Sequence, residues 1–354
     1  MDARSTLGRQ WLALAAMVVL VAVSTVFVTP AAAAHVGCGS VITQSTVLDS
    51  DIGPCTVGLT IAGNGIQLDM NGHRLTGPAN RTGGPGIRFN GTNRAVVRNG
   101  TVSGFTAGVA VEGGANNSVV AMNVLDNVGQ GDYADGILVF ESDGVRIIGN
   151  QVSRNGVFSG ITLADSSNGL IDSNNISYNN IPTATGLFTD IGVWILNLRD
   201  VPASQGQPDV VGRQASFNLV VNNQVTGNGL EGIQISRFAH HNTARNNHAI
   251  ANGTRQRPGV REGDGIAIFS NDNLIEFNRA YNNGGNGIGI QLTQTATTTQ
   301  GVRNQILGNQ TGGNGFGPNA PPNFDLFDAW PNCDNNVWRG NRFQTFNQAC
   351  VTAP

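Results

Sequence analysis

The 354 residues carry few charges, 12% of the chain, and a formal net charge of −3 with no Lys, so nothing electrostatic argues for a nucleic-acid partner. Glycine is abundant, at 48 residues, yet apolar residues recur with a strict period, which excludes a disordered low-complexity chain. The length suits a fold that grows by stacking better than one ordinary core.

Residues 1–34 read as a secretory signal. Arg4 and Arg9 open it, an apolar run spans Leu12 to Val28, and Ala32-Ala33-Ala34 offers a small-residue cleavage site before His35. The rival reading is an uncleaved membrane anchor. Cleavage would leave 18 basic against 22 acidic residues and no membrane attachment. Cys38 and Cys55 are 17 apart, as are Cys333 and Cys350, one pair near each end. In an oxidising compartment the economical pairing is two local disulfides, although three connectivities remain open. Residues 35–65 then form an N-terminal cap, and 35–354 a single domain.

From Gly86 onward a Gly-apolar-x-apolar unit recurs at Gly86, Gly108, Gly136, Gly160, Gly192, Gly232, Gly265 and Gly287. The spacings are 22, 28, 24, 32, 40, 33 and 22 residues, so about 22 is the minimal turn. A second motif, NQVTGNG at Asn223, recurs at Asn150, Asn174, Asn247, Asn278 and Asn309, with an Asn five residues later each time. Repeats of this size mean a solenoid, and period-2 alternation with this much Gly and Asn excludes an α-solenoid. Two or three short strands per turn describe an all-β parallel β-helix of about ten coils. Residues such as Ile137, Val139, Ile161, Leu163, Ile233, Ile235, Ile266 and Ile268 are expected to point inward. The Asn residues are expected to bend the chain and stack as an amide ladder.

Spacing above the minimum marks loops at Gly129 to Ala134, Pro182 to Ile191, Arg199 to Ser216, Thr254 to Gly263 and Thr293 to Gln300. Residues 323–354 supply the last coil and its closure, with Trp330, Trp338, Phe343 and Phe346 expected to cover the open end.

On these Asn-x-apolar-x-x-Asn-Gly and Gly-Ile-x-Ile repeats, residues 36 to 350 resemble the right-handed parallel β-helix repeat proteins. That broad group is similar in fold to pectate lyases, polygalacturonases and mannuronan C5-epimerases, and it includes NosD-like periplasmic proteins. The resemblance implies a right-handed solenoid and an exported protein, secreted or held in the periplasm or cell envelope. It also implies polysaccharide as the partner, often with Ca²⁺, but it says little of activity, because one solenoid hosts many chemistries. The epimerases' Asp-Pro-His motif is absent, no Lys exists to serve as a lyase base, and only Met70 and Met122 remain after residue 34 to suggest copper handling.

The candidate chemistry is acidic. Asp135, Glu231 and Asp264 each stand immediately before a repeat Gly, and Asp190 lies one residue earlier on its coil. Stacked carboxylates can raise one another's pKa for acid–base work or bind a hard cation. The plain reading of Asp-Gly at 135 and 264 is turn chemistry. A straight strand through the Gly would point these acids inward, so a bend is required for either role. Asp132, Tyr133, Arg261 and Glu262 would overhang this corner, with Arg261 or Arg237 clamping substrate and Trp194 or Tyr133 contacting it. Arg237 with His240 and His241 forms a weaker constellation, more simply a solvated turn. No metal-ligand spacing stands out. The expected function is polysaccharide binding or processing by a monomer, as lyase, epimerase or glycoside hydrolase. The alternative is a non-catalytic envelope scaffold that binds a glycan or protein.

Overall fold

The computed structural model describes residues 33–81, 83–129, 134–156, 158–179, 190–198, 213–255, 262–294, 299–316 and 322–352. Most coils contribute three short strands, and these strands pair in parallel with their counterparts one coil on. The Gly-apolar strands form the first face, an eleven-stranded sheet running from Val41–Ile42 to Leu326–Asp328. Its register keeps the repeat aligned: Ile137 pairs with Ile161, Val193 with Ile233, Ile233 with Ile266, and Ile266 with Ile288.

The strand before each Asn motif, such as Leu219–Val221, builds the second face, and the strand inside it, such as Gln224–Thr226, builds the third. In two coils, Val96–Ser103 and Ser118–Leu125 run through the bend between these faces, which joins them into one sheet. The first face holds eleven strands where the spacing suggests about ten coils. The difference comes from the opening segment, whose Val41–Ile42 and Leu59–Ile61 pair in register ahead of Pro85–Asn90.

The inward residues behave as the alternation requires. Ile137, Val139, Ile161, Ile233, Ile235, Ile266, Ile268, Ile288 and Ile290 are fully buried in one continuous core. The repeat glycines serve close approach. A Cβ on Gly232 would lie 2.6 Å from the Gly265 carbonyl and 2.7 Å from Asn252 Nδ2 on the next coils.

Between the faces, Asn side chains stack into ladders. Asn223 Nδ2 donates to Asn247 Oδ1 (3.0 Å) and to the Ile171 carbonyl (2.9 Å), while its Oδ1 accepts from the amide and Nδ2 of Asn174 (both 2.9 Å). This ladder runs Asn150, Asn174, Asn223, Asn247, Asn278, Asn309, Asn341. A second runs from Asn127 to Asn314. A third joins Asn242, Asn273, Asn304 and Asn336, with Asn218 donating its backbone amide to Asn242.

Disulfides Cys38–Cys55 and Cys333–Cys350 staple the two ends as expected. At the C-terminal end Trp338 is buried and Phe343 packs on the core, whereas Phe346 is 43% exposed. Ala33–Ala34 adds a short parallel strand beside Val47–Leu48, so a cut before His35 would remove that edge pairing. No helix among the described residues is long and apolar enough to cross a membrane.

Candidate functional site

The residues preceding the first-face glycines form one column down the solenoid: Asp135, Ser159, Ile191, Glu231, Asp264, Asn286. The required bend is present, because the acids reach side chains on the outward side of the next strand. Thr162, between the inward Ile161 and Leu163, donates to Asp135 Oδ1 at 2.7 Å. Ser159 donates to the same oxygen at 2.7 Å. Burial pushes the Asp135 carboxyl up to about 6, although both hydroxyls oppose the shift.

Glu231 and Asp264 are consecutive in the column, about 5 Å apart along the axis. Both are buried, at 5% and 1% exposure. Their partners differ sharply. Asp264 Oδ1 accepts from the backbone amide of Asn286 (2.6 Å) and from Asn286 Nδ2 (3.0 Å), and its Oδ2 accepts from Gln291 Nε2 (2.8 Å). Glu231 Oε1 faces the Gly263 amide at 3.4 Å, a long bond. Burial, with the neighbouring charges of Asp264 and Glu262 adding to it, pushes Glu231 up to about 8. That direction favours the protonated form of Glu231.

Asp190 stands one coil before Glu231 but turns elsewhere. Its backbone takes a left-handed φ of +36°, and its Oδ2 accepts from Arg255 Nη1 at 2.7 Å. A Cβ on Gly229 would lie 2.4 Å from Asp190 Cβ, so that glycine makes room for the side chain. Burial pushes Asp190 up to about 7 despite the guanidinium. Among the described residues its Oδ1 has no hydrogen-bond partner.

The structure therefore brings Glu231 and Asp264 together with Glu262. It sets Asp190 in an ion pair and places Asp135 three coils away with its own hydroxyl partners. Tyr133 and Arg261, with Asp132, lie outside the described residues, as do most of the expected loops. Of these loops, Thr293–Gln294 and Thr299–Gln300 pair antiparallel. Trp194 is half-buried on the outward side of the first face, and its Nε1 donates to Ser236 Oγ at 2.7 Å. Arg237, His240 and His241 sit at the opposite end of the first-face strand from Glu231. His240 Nδ1 accepts the Asn271 amide, His241 stacks on Phe217, and Arg237 lies over the Phe238 ring. Burial lowers the His240 pKa, which favours its neutral form.

The sequence reading missed Asn286, Gln291, Arg255, Ser159 and Thr162. Ser159 and Asn286 could have been found by writing the residue before each repeat Gly as a column.

The residues do not fit a cation site. Among the described residues no group of three or more His, Cys, Asp or Glu could hold a metal ion. The oxygens of Asp264 and the Oδ2 of Asp190 are directed at N–H donors instead. A copper site fares no better, with all four cysteines in disulfides and Met70 and Met122 in the core.

A family model described as "Right handed beta helix region" matches residues 135–315. The chain belongs to the right-handed β-helix family. A second model, "Periplasmic copper-binding protein (NosD)", matches residues 33–196. No curated protein matches the chain. Among solved structures this right-handed β-helix is similar to the periplasmic alginate epimerase AlgG, with TM-score 0.54 and 16% identity over 82% of this chain and 61% of that one. It is similar to the alginate lyase from Paenibacillus sp. str. FPU-7, with TM-score 0.53 and 14% identity over 88% and 97% of the two chains. A tailspike protein mutant of E. coli bacteriophage HK620, in complex with pentasaccharide, gives TM-score 0.55 and 12% identity over 87% and 57%. The chain thus spans about three-fifths of the length of the epimerase and the tailspike. These likenesses show the shared fold.

Proposed function

We propose that this β-helix is an exported protein that acts on polysaccharide, with Glu231 and Asp264 as its proton-handling pair. The observation that carries the reading is the unequal support of two buried carboxyls on adjacent coils. Glu231 holds a proton at neutral pH and Asp264 is held as an acceptor by three N–H donors. In a cleaving reaction Glu231 protonates the bridging glycosidic oxygen as the C–O bond breaks. The Asp264 charge stabilises positive charge developing on the sugar, and water then adds to the sugar carbon while its proton returns to the Glu231 carboxylate. Asp264 is unsuited to nucleophilic attack because its oxygens point at Asn286 and Gln291. Export is supported by the two disulfides and the leader-like residues 1–34. Alginate and pentasaccharide in the names of similar structures support a glycan as the substrate class.

A panel of acidic and neutral polysaccharides, read by reducing-end and unsaturated-product assays, tests the reading. Reducing ends are expected from at least one member, with Glu231→Gln lowering the rate by about 100-fold or more. The rate should fall as pH rises through about 8, where Glu231 loses its proton. A lyase or epimerase would need Glu231 ionised as a base, so its rate would rise through the same range. The burial of the pair favours one competing reading, a glycan-binding scaffold without turnover. Binding to a panel member with no product from any would establish that reading instead.

A further inference from the structure

Two carboxyls buried side by side do not both ionise, so something must decide which one keeps the proton. Glu231 and Asp264 are neighbours of that kind, and the deciding groups lie on the coil after Asp264. Asn286 follows Asp264 in the column and gives Oδ1 both its backbone amide (2.6 Å) and its Nδ2 (3.0 Å). Its own side-chain oxygen accepts the Phe324 amide at 2.8 Å, which fixes the NH₂ end toward the acid. Gln291 supplies Nε2 to the other oxygen at 2.8 Å.

The meeting point of Asp264 and Gln291 is a notch at Gly289, between the inward Ile288 and Ile290. A Cβ there would lie 2.4 Å from Asp264 Oδ2 and 2.9 Å from Gln291 Nε2. The Asn286 backbone amide and its oriented Nδ2, with Gln291 Nε2, present three N–H groups to the two Asp264 oxygens, which favours an ionised acceptor. Among the described residues the charged groups that act on Glu231 are Asp264 and Glu262, while Asp190, one coil before, is paired with Arg255.

We infer that Asn286 and Gln291, meeting over the Gly289 notch, are positioning residues that hold Asp264 as the anion and so keep the shared proton on Glu231. The catalytic meaning of this clamp rests on the reading proposed above, but the location of the proton does not. The clamp also explains why the column can place two acids in succession at this coil. The residue after the pair is a donor whose orientation the following coil has already set.

The test is a carboxyl-carbon NMR titration of the full exported chain, with Glu231→Gln and Asp264→Asn used to assign the two resonances. Gln291→Leu removes one donor without touching the core, and Gly289→Ala fills the notch and displaces Asp264 Oδ2. Each is expected to lower the Glu231 midpoint by about one pH unit or more, a tenfold change in proton distribution, while the Asp264 midpoint rises. The far-ultraviolet spectrum should keep its β signature. Unchanged midpoints in both folded variants would overturn the inference, as would a wild-type chain in which Asp264 carries the proton. A shifted midpoint in a chain that turns over no polysaccharide supports the clamp and removes the catalytic reading. Where turnover exists, Gln291→Leu should move the alkaline limb of the pH–rate profile downward, which a loss of folding alone would not do.

Discussion

Two kinds of buried polar column run along this solenoid at its bends, and they obey different rules. An Asn side chain carries a donor and an acceptor, so identical residues one coil apart complete each other. Asn223 shows this on both sides, giving to Asn247 and taking from Asn174. A carboxylate is acceptor-only, so identical neighbours repel. The first-face column accordingly breaks its acids with donors or apolar residues: Ser159 follows Asp135, Ile191 separates the next position, and Asn286 follows Asp264. Glu231 and Asp264 alone stand in direct succession there, and a proton takes the place of the missing donor. The amide ladder can repeat for as many coils as the chain supplies. The acid column can bear one such pair only with local help, which makes that pair the chemically distinctive point on the axis.

The largest effect that separates the two columns should come from Asn223→Leu. It removes the acceptor for two Asn174 donors and the donor for the Ile171 carbonyl, all at buried positions. Orphaning these groups is expected to cost about 3–5 kcal/mol in urea unfolding at pH 7. Glu231→Gln, a change of the same size in the acid column, should cost far less and should stabilise the chain at pH 8. Equal costs for the two substitutions would erase the distinction.

A medium effect lies in the pH dependence of stability. Glu231, Asp190 and Asp135 are raised to about 8, 7 and 6, each mainly by burial, from ordinary values of 4.5, 3.8 and 3.8. Between the ordinary and raised values the unfolded chain has released protons that the folded chain still holds. Raising the pH therefore favours unfolding. Their contribution is fully present below about pH 4 and is lost by about pH 8. Asp272 works the other way: the Arg303 hydrogen bonds lower its pKa, so its contribution fades as pH falls below about 4. The Tm should peak on the acid side of neutrality and fall toward pH 8. Glu231→Gln should flatten the fall above pH 6, and an unchanged slope in that variant would break the assignment of the proton to Glu231.

Much of the fold was legible because its rules are periodic. Gly-Ile-x-Ile at the minimal spacing gives inward stacking, and Ile137, Ile233 and Ile266 are buried accordingly. The Asn pair five residues apart gave two ladders. The third was equally visible as an Asn five residues further upstream, at Asn218, Asn242, Asn273 and Asn304, but the seven-residue motif began too late to include it. The acid column was legible by phase. The electrostatic state of each acid was not, because it depends on partners from other coils. Asp190 and Arg255 are 65 residues apart, and Asp264 and Gln291 are 27 apart. Arg237, His240 and His241 looked chemical as neighbours in sequence, yet the strand carries them away from the acids to the opposite corner.

The smallest predicted effect concerns how the amide ladders end. In the second and third ladders the last Asn gives its Nδ2 to an acceptor that asks for nothing in return, whereas Asn341, last of the first ladder, donates back to the Ile306 carbonyl. Two aspartates serve as that acceptor. Asn314 Nδ2, at the end of the second ladder, donates to Asp325 Oδ1 at 2.8 Å, and Asp325 Oδ2 accepts the amides of Gln344 (2.8 Å) and Thr345 (3.0 Å). Asn336 Nδ2, at the end of the third, donates to Asp328 Oδ2, which also takes Trp338 Nε1 at 2.9 Å. A carboxylate suits these positions because donors surround both oxygens, whereas an amide would turn its NH₂ toward one set of them. Asp325→Asn should therefore destabilise the chain by about 1–2 kcal/mol although it matches the shape of the ladder residue. Urea unfolding of Asp325→Asn beside Asn283→Asp, which puts a carboxylate mid-ladder where a donor is required, separates the two rules. If the asparagine at 325 were neutral, the ladder would need no acceptor at its end, and the contrast between repeating amides and solitary acids would lose its simplest support.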